Sequence, residues 1–519
     1  MSDRRRAHVV STAIVMVSTF LSRLLGFVRI AVIGAVFGAS GNADVLNLVF
    51  NIPNNLRKLL AEGALSSAFV PVLSRAHVED ASGHRSRAIV RSLLGLQLAI
   101  LVPVLILAAI FPQQIVNVIL DFPERSRQLL AGDLFRYLIH YVLLISVAAV
   151  CMGTLNSMQR FLVPALSPLW FSVAVIVSIF TLHRHIGVYA MVVGVGIGGL
   201  GQVLLHVPPM VRAGYSLWPR FYFGDPHFRI ILRRWLPVVS TASVFAINQQ
   251  IALLFASGLE DGSGSAMTNA LVFWQLPFGI FSASITTVLF PAMSRHYAEN
   301  DGAGLQETVL SGLRGLILLL VPAGIGLIVL GEPMIAVALQ RGAFTARATG
   351  LAAEVLTWYS IGLFSVGAFT FLQRFFYACD DYRTPLRIAA LTVVLDVGLS
   401  LWLKETRLRV AGLALANSVA FTIGLFLMLH QVRRAAGTIP IRTLLPSVAR
   451  AVLASAVAVV TVFLVRFLMT RAGITNWVDT GSSLRTFGLF LLEAIPAAAA
   501  LIGSYYLMGI TRHSVVQKH

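Results

Sequence analysis

About fourteen apolar stretches, most near twenty residues or longer, divide this chain: 9–37, 43–73, 89–112, 133–156, 164–182, 187–210, 233–258, 266–293, 309–331, 354–377, 385–403, 409–431, 446–470 and 485–510. A helix rises about 1.5 Å per residue, so roughly twenty residues cross a hydrocarbon core about 30 Å thick. In lipid every backbone N–H and C=O needs a partner inside the protein, and a helix supplies one within each segment. The pattern therefore predicts an all-α polytopic membrane protein of about 14 transmembrane helices. Composition removes the competitors. Of 519 residues, 57% are hydrophobic and 12% charged, with a mean hydropathy of +0.82, whereas soluble domains carry about 25% charged residues. A soluble multidomain enzyme needs more polar surface than this, and a disordered or disulfide-rich secreted chain is excluded equally.

The net charge of +18 does not point to nucleic acid, because the basic residues sit in short connections between apolar runs. There they orient a chain in a bilayer. Placing the N-terminus inside gathers Arg4–Arg6, Arg75, Arg85, Arg87, Arg91, Arg160, Arg212, Arg220, Arg433 and Arg434 on one side. The opposite side holds fewer than half as many cations, among them Arg125, Arg127, Lys404, Arg407 and Arg471. Both termini are therefore expected in the cytoplasm. The leading MSDRRRAHVV runs into an apolar stretch without a small-residue cleavage site and reads as the start of a retained first helix. Cys151 and Cys379 match no metal spacing or disulfide pattern and read as small apolar core residues.

Three sequence pairs recur at an offset of about 221. FVPVLSR at Phe69–Arg75 returns as LFPAMSR at Leu289–Arg295, Phe111-Pro112 as Glu332-Pro333, and Pro164 as Pro385, each at an equivalent helix boundary. This divides the chain into a six-helix lobe at 1–210, a second at 211–432 that opens with a cytoplasmic connection at 211–232, and two additional helices at 433–519. Units of six helices enter from the same side. They are expected as parallel repeats about an axis along the membrane normal, flanking a central cavity, which is a transporter architecture.

Ionisable residues inside apolar helices single out the functional region, since each costs about 2.5–3.5 kcal/mol at the bilayer centre. The first stretch contains Arg23 and Arg29; the second contains Asp44, Asn55, Arg57, Lys58 and Glu62. Four cations facing lipid would cost on the order of 10 kcal/mol, so Arg23, Arg29, Arg57 and Lys58 are expected to line a wet cavity. Gly26 and Pro53 can break their helices and let the arginines converge. A guanidinium donates two parallel hydrogen bonds and stays charged, which suits a phosphate. Lys58 and Glu62, four apart, are expected to pair. The competing reading, in which the arginines snorkel to the surface, fits poorly with the mid-segment positions of Arg23 and Arg29.

Other constellations are weaker. Gly194-Val195-Gly196-Ile197-Gly198-Gly199 fits GxGxxG but lies in an apolar helix with no strand before it, so close packing through small residues accounts for it. His183 and His185 flank Arg184 in what reads as a solvated turn. Asp396 and Glu493 lie in apolar helices, as carriers of a coupling ion or proton or as structural hydrogen-bonded carboxyls. With no HExxH, nucleophile elbow or P-loop, neither hydrolysis nor ATP-driven chemistry is indicated, and no cofactor or metal is expected.

Together, SRLLGFVR at 22–29, Asp44, PNNLRKLLAEGALSSAFVP at 53–71 and RGAFT at 341–345 closely resemble the MurJ (MviN) family. These are the lipid II flippases of the multidrug/oligosaccharidyl-lipid/polysaccharide (MOP) exporter superfamily, and the resemblance covers essentially the whole chain. It implies a transporter, not an enzyme. Such a protein moves lipid II, or a similar undecaprenyl-diphosphate-linked substrate, from the inner to the outer leaflet of the cytoplasmic (inner) membrane, by alternating access and with dependence on membrane potential. It also implies cell-wall synthesis proteins as partners, and a lipid-tail groove formed by the last two helices, here about 446–510. The family's cavity arginines carry over to Arg23, Arg29 and Arg57, and its acidic positions to Asp44 and Glu62. Together with Lys58 and Asn55 these are the candidate substrate-binding residues. Two positions depart: Ile30 stands where the family usually has Asp, and near Val272 the family's eighth-helix arginine is absent, with no Lys or Arg between Arg234 and Arg295. A flippase for another lipid-linked oligosaccharide, or a non-transporting relative that scaffolds or regulates cell-wall synthesis, are the alternative readings.

Overall fold

A computed structural model describes residues 3–60, 64–80, 82–221, 226–437, 440–473 and 483–510. Among the described residues the chain is helical without a strand, and it divides into two compact units, Met1–Gly258 and Leu259–His519. The first unit holds α1 (Asp3–Phe37), α2 (Asn42–Leu60), α3 (Ala64–Glu79), α4 (His84–Ile110), α5 (Pro112–Ile119), α6 (Arg125–Leu138), α7 (Tyr141–Ser157), α8 (Leu162–Ile186), α9 (Tyr189–Arg212) and α10 (Pro226–Ser257). The second holds α11 (Ser263–Pro277), a π-helical turn (Phe278–Ser282), α12 (Ala283–Ala298), α13 (Gly302–Leu339), α14 (Ala346–Ile361), α15 (Leu363–Ala378), α16 (Arg383–Leu403), α17 (Arg409–Ala436), α18 (Leu445–Arg471) and α19 (Ser483–Leu507).

Ten described helical stretches are long and apolar enough to cross a membrane, and α14 with α15, bent by 48° at Gly362, make an eleventh. The chain is therefore a multi-pass membrane protein. The remaining three apolar stretches of the sequence coincide with α1, with α2 and α3, and with α10. One irregularity recurs between the units. α6 gives way to α7 at Ile139–His140, and α14 to α15 at Gly362, about 222 residues later. Phe111-Pro112 and Glu332-Pro333, however, are not equivalent helix boundaries as expected: the first separates α4 from α5, whereas α13 runs unbroken through Pro333. Pro164 and Pro385 each stand third in their helices, α8 and α16, where a missing N–H costs nothing.

Two local expectations need correction. Neither Gly26 nor Pro53 breaks its helix: α1 runs unbroken past Gly26 and α2 past Pro53. His183–His185 is not a loop but the last turn of α8, where the Arg184 cation stands at the negative end of the helix dipole and His183 Nδ1 meets the Ile179 carbonyl at 2.8 Å. Gly187 (φ 54°) then turns the chain into α9. RGAFT builds the turn between α13 and α14. Arg341 donates to the Val337 carbonyl (2.7 Å), Phe344 is buried, and Thr345 caps α14 by accepting from Ala348 N–H (3.3 Å).

The connection 213–221 straps across α3 and α4. Tyr215 is buried, donates to Ser86 Oγ (2.9 Å) and meets His77 Nε2 (2.6 Å). Burial pushes its hydroxyl above the ordinary tyrosine range. Arg91 Nε donates to the Trp218 carbonyl and Arg220 N–H to the Arg91 carbonyl, both at 2.9 Å. A Cβ on Gly95 would lie 2.2 Å from the Arg220 carbonyl oxygen, so only glycine admits the strap there. Beside it, Asp80 orders the α3–α4 turn. The Ser82 hydroxyl and the Arg85 N–H hold its carboxyl down at about 2.

Candidate substrate-binding site

The sequence-predicted residues fall in the first unit, on α1 and α2. Lys58 lies at the end of α2, where its side chain is outside the described residues, and Glu62 is outside them altogether, so their expected pairing is too. Arg23 is exposed and Arg29 half-buried. Six residues apart, they stand about 120° apart around α1, so the helix does not present them on one face. Arg57 of α2 and Tyr141 of α7 lie near enough to Arg29 to act on it electrostatically. Arg57 Nε donates to Asn54 Oδ1 at 3.2 Å.

What surrounds Arg29 is aromatic. Its guanidinium carbon lies 5.1 Å from the centre of the Phe171 ring on α8, and Phe171 packs on Tyr141 with ring centres 5.0 Å apart and planes tilted by 31°. Among the described residues no carboxylate pairs with Arg29, and its buried Nε has no hydrogen-bond partner. The charge is thus left available inside the helical body.

On α2 a polar stripe runs at helical spacing: Asp44, Asn47, Asn51 and Asn55. Asp44 is buried in the first turn, Asn51 donates to the Asn47 carbonyl (2.9 Å), and Asn55 is buried with neither amide oxygen nor nitrogen bonded. Asn47 and Asn51 were not among the expected site residues, although their three- and four-residue spacing from Asp44 and Asn55 is visible in the sequence. Phe171 and Tyr141 were missed for a different reason. They lie more than a hundred residues from Arg29, and no local pattern joins them.

The glycine motif of α9 explains why these rings can stand there. A Cβ on Gly194 would come within 2.8 Å of Val175 Cα, on Gly198 within 2.7 Å of Phe171 Cδ2, and on Gly199 within 2.9 Å of Tyr141 Cδ2. The motif is helix packing, as its setting in an apolar helix implied.

Of the two buried carboxylates noted in the sequence, Asp396 of α16 accepts from Asn417 Nδ2 (2.8 Å) and Ser400 Oγ (3.4 Å). Glu493 of α19 is locked to Arg466 of α18. Arg466 Nε reaches both of its oxygens at 3.1 Å and Nη2 reaches Oε2 at 2.9 Å, while Nη2 also donates to the Val329 carbonyl of α13 at 3.0 Å. Glu493 is therefore a structural ion pair that ties the last two helices to α13. Among the described residues no cluster of His, Cys, Asp or Glu has the geometry to hold a metal.

Long apolar helices in two units, with uncancelled positive charge among the helices of the first, define a multi-pass membrane transporter. The fold matches an inward-facing multidrug transporter of the MATE family in the MOP superfamily, with a TM-score of 0.66 at 15% identity over 81% of this chain and 98% of that one. It matches a lipid II flippase MurJ in an inward closed conformation more fully, with a TM-score of 0.77 at 25% identity over 95% and 99% of the two chains. The family described as lipid II flippase MurJ matches residues 33–480. A probable lipid II flippase MurJ of Borreliella burgdorferi is 35% identical over 80% of this chain and 81% of its own length; another, from Vibrio cholerae, is 31% identical over 95% and 94%. The chain belongs to the MurJ family of lipid II flippases, and it is a transporter, not an enzyme.

Proposed function

We propose that this protein carries lipid II from the inner to the outer leaflet of a bacterial cytoplasmic membrane, and that Arg23, Arg29 and Arg57 hold its diphosphate. The observation that carries the reading is Arg29, a cation among membrane helices with no carboxylate partner among the described residues. An unneutralised guanidinium there is costly unless a ligand anion uses it. A charge-assisted hydrogen bond from an arginine to a phosphate is worth about 1.5–3 kcal/mol. Loss of one arginine to alanine should weaken substrate binding about ten- to a hundredfold, at about 1.4 kcal/mol per decade. Lysine should rescue in part, keeping the charge and losing the fork. The test is binding of lipid II to purified Arg→Ala variants, with rescue of a flippase-depleted bacterium and a check of membrane abundance. Three abundant variants with normal binding and rescue would overturn it.

In this reading Asn55, Asp44, Lys58 and Glu62 contribute the remaining polar contacts on and beside α2. The six-helix lobes at 1–210 and 211–432 alternate access around a central cavity, and the helices at 433–519 receive the lipid tail. The helix break between α6 and α7, matched about 222 residues later between α14 and α15, supports the lobes. Enzymes that make and consume lipid II are the protein partners it anticipates. The Lys/Arg asymmetry supports cytoplasmic termini. Single cysteines near 80, 220 and 440 should resist an impermeant thiol reagent in intact cells while one at 124 reacts, and the reverse pattern would sink the orientation.

A further inference from the structure

We infer that Phe171, backed by Tyr141 and seated by Gly198 and Gly199, is a positioning residue that holds Arg29 in place without neutralising it, so that its charge and N–H donors remain free for an anionic headgroup. This rests on the reading of Arg29 as a substrate-binding residue and extends it to what aims that residue.

An arginine among membrane helices is usually fixed by a carboxylate, which cancels its charge and occupies its fork. A ring face instead attracts the cation through its quadrupole and offers no lone pairs, so every N–H stays available. Arg29 shows this arrangement. Its guanidinium carbon is 5.1 Å from the Phe171 ring centre, and its buried Nε bonds to nothing. Phe171 is 6% exposed and Tyr141 4%, so the rings themselves are held inside the helical body.

The platform is also fixed from behind. Gly198 and Gly199 are adjacent on α9, about 100° apart around its axis, and each abuts a different ring. A Cβ would stand 2.7 Å from Cδ2 of Phe171 at Gly198 and 2.9 Å from Cδ2 of Tyr141 at Gly199. Both distances are too short for any side chain, so a substitution at either glycine displaces the ring it abuts. The last two glycines of the GxGxxG motif thereby make room for the Phe171 ring of α8 and the Tyr141 ring of α7.

The test replaces Phe171 in the full-length protein with phenylalanines of increasing ring fluorination, which drain the ring's negative face at nearly constant shape. Binding of lipid II to the purified protein is measured alongside its melting temperature. Affinity should fall stepwise with fluorination and drop about 5- to 30-fold in Phe171→Leu. The melting temperature should change little along the fluorinated series. In an Arg29→Ala background the fluorination dependence should vanish. If fluorination leaves affinity flat while Arg29→Ala weakens it, the platform is packing alone and the substrate reading stands. If Arg29→Ala binds normally, both fall.

Discussion

The Arg466–Glu493 pair makes an asymmetric prediction. Glu493 is 2% exposed, whereas the Arg466 side chain keeps 32% of its surface accessible. Breaking a buried pair from one side costs about 3–5 kcal/mol, because the remaining charge is stranded. Arg466→Ala strands a carboxylate with no route outward, and the partial exposure of the pair places the cost near the lower end, about 3 kcal/mol. Glu493→Ala strands a guanidinium that still holds the Val329 carbonyl and has an accessible side, so its cost should be nearer that of an exposed pair, about 1 kcal/mol. A joint Arg466→Met, Glu493→Leu replacement leaves no stranded charge and should be milder than Arg466→Ala alone. At about 2–4 °C per kcal/mol for a unit of this size, Arg466→Ala should lower the melting temperature of the purified protein by roughly 6–12 °C. The reasoning is refuted if Glu493→Ala is as damaging as Arg466→Ala, or if the joint variant loses the sum of the two.

The strap over α3 and α4 should open when its seat is filled. Gly95→Ala places a methyl against the Arg220 carbonyl and should speed tryptic cleavage at Arg212 and Arg220, with Tyr215→Phe a milder version, about 2- to 10-fold for one hydrogen bond; unchanged cleavage in both would refute the seat. Asn55 carries an amide that is 5% exposed and bonded at neither end, a burial worth about 1–3 kcal/mol against the folded state. Asn55→Leu should therefore raise the melting temperature of the empty protein while weakening lipid II binding, and a lowered melting temperature would show the amide to be structural.

Whatever had a local cause was legible in the sequence. Apolar stretches of membrane length became helices at the expected places, and the recurrence of Pro164 as Pro385 marked the starts of α8 and α16. Gly194–Gly199 read as packing because no strand preceded it. Two readings failed because they took a residue's tendency for its effect. Gly26 lies in a helix with nothing within 4 Å of a Cβ there and need not break it, and Pro53 is tolerated inside α2, since neighbouring helices can re-satisfy a freed carbonyl. What the sequence could not yield was juxtaposition. Arg466, inside the apolar stretch at 446–470, drew no notice in the sequence, and only where α18 meets α19 does it become the partner of Glu493. Phe171 looked like one of 32 phenylalanines until α8 carried it beneath Arg29. The residues that break the local rules and stay unsatisfied are the ones on which the proposed site rests. A guanidinium held by rings and an amide bonded to nothing both lower the stability of the empty protein, and natural chains retain such costs where a ligand recovers them.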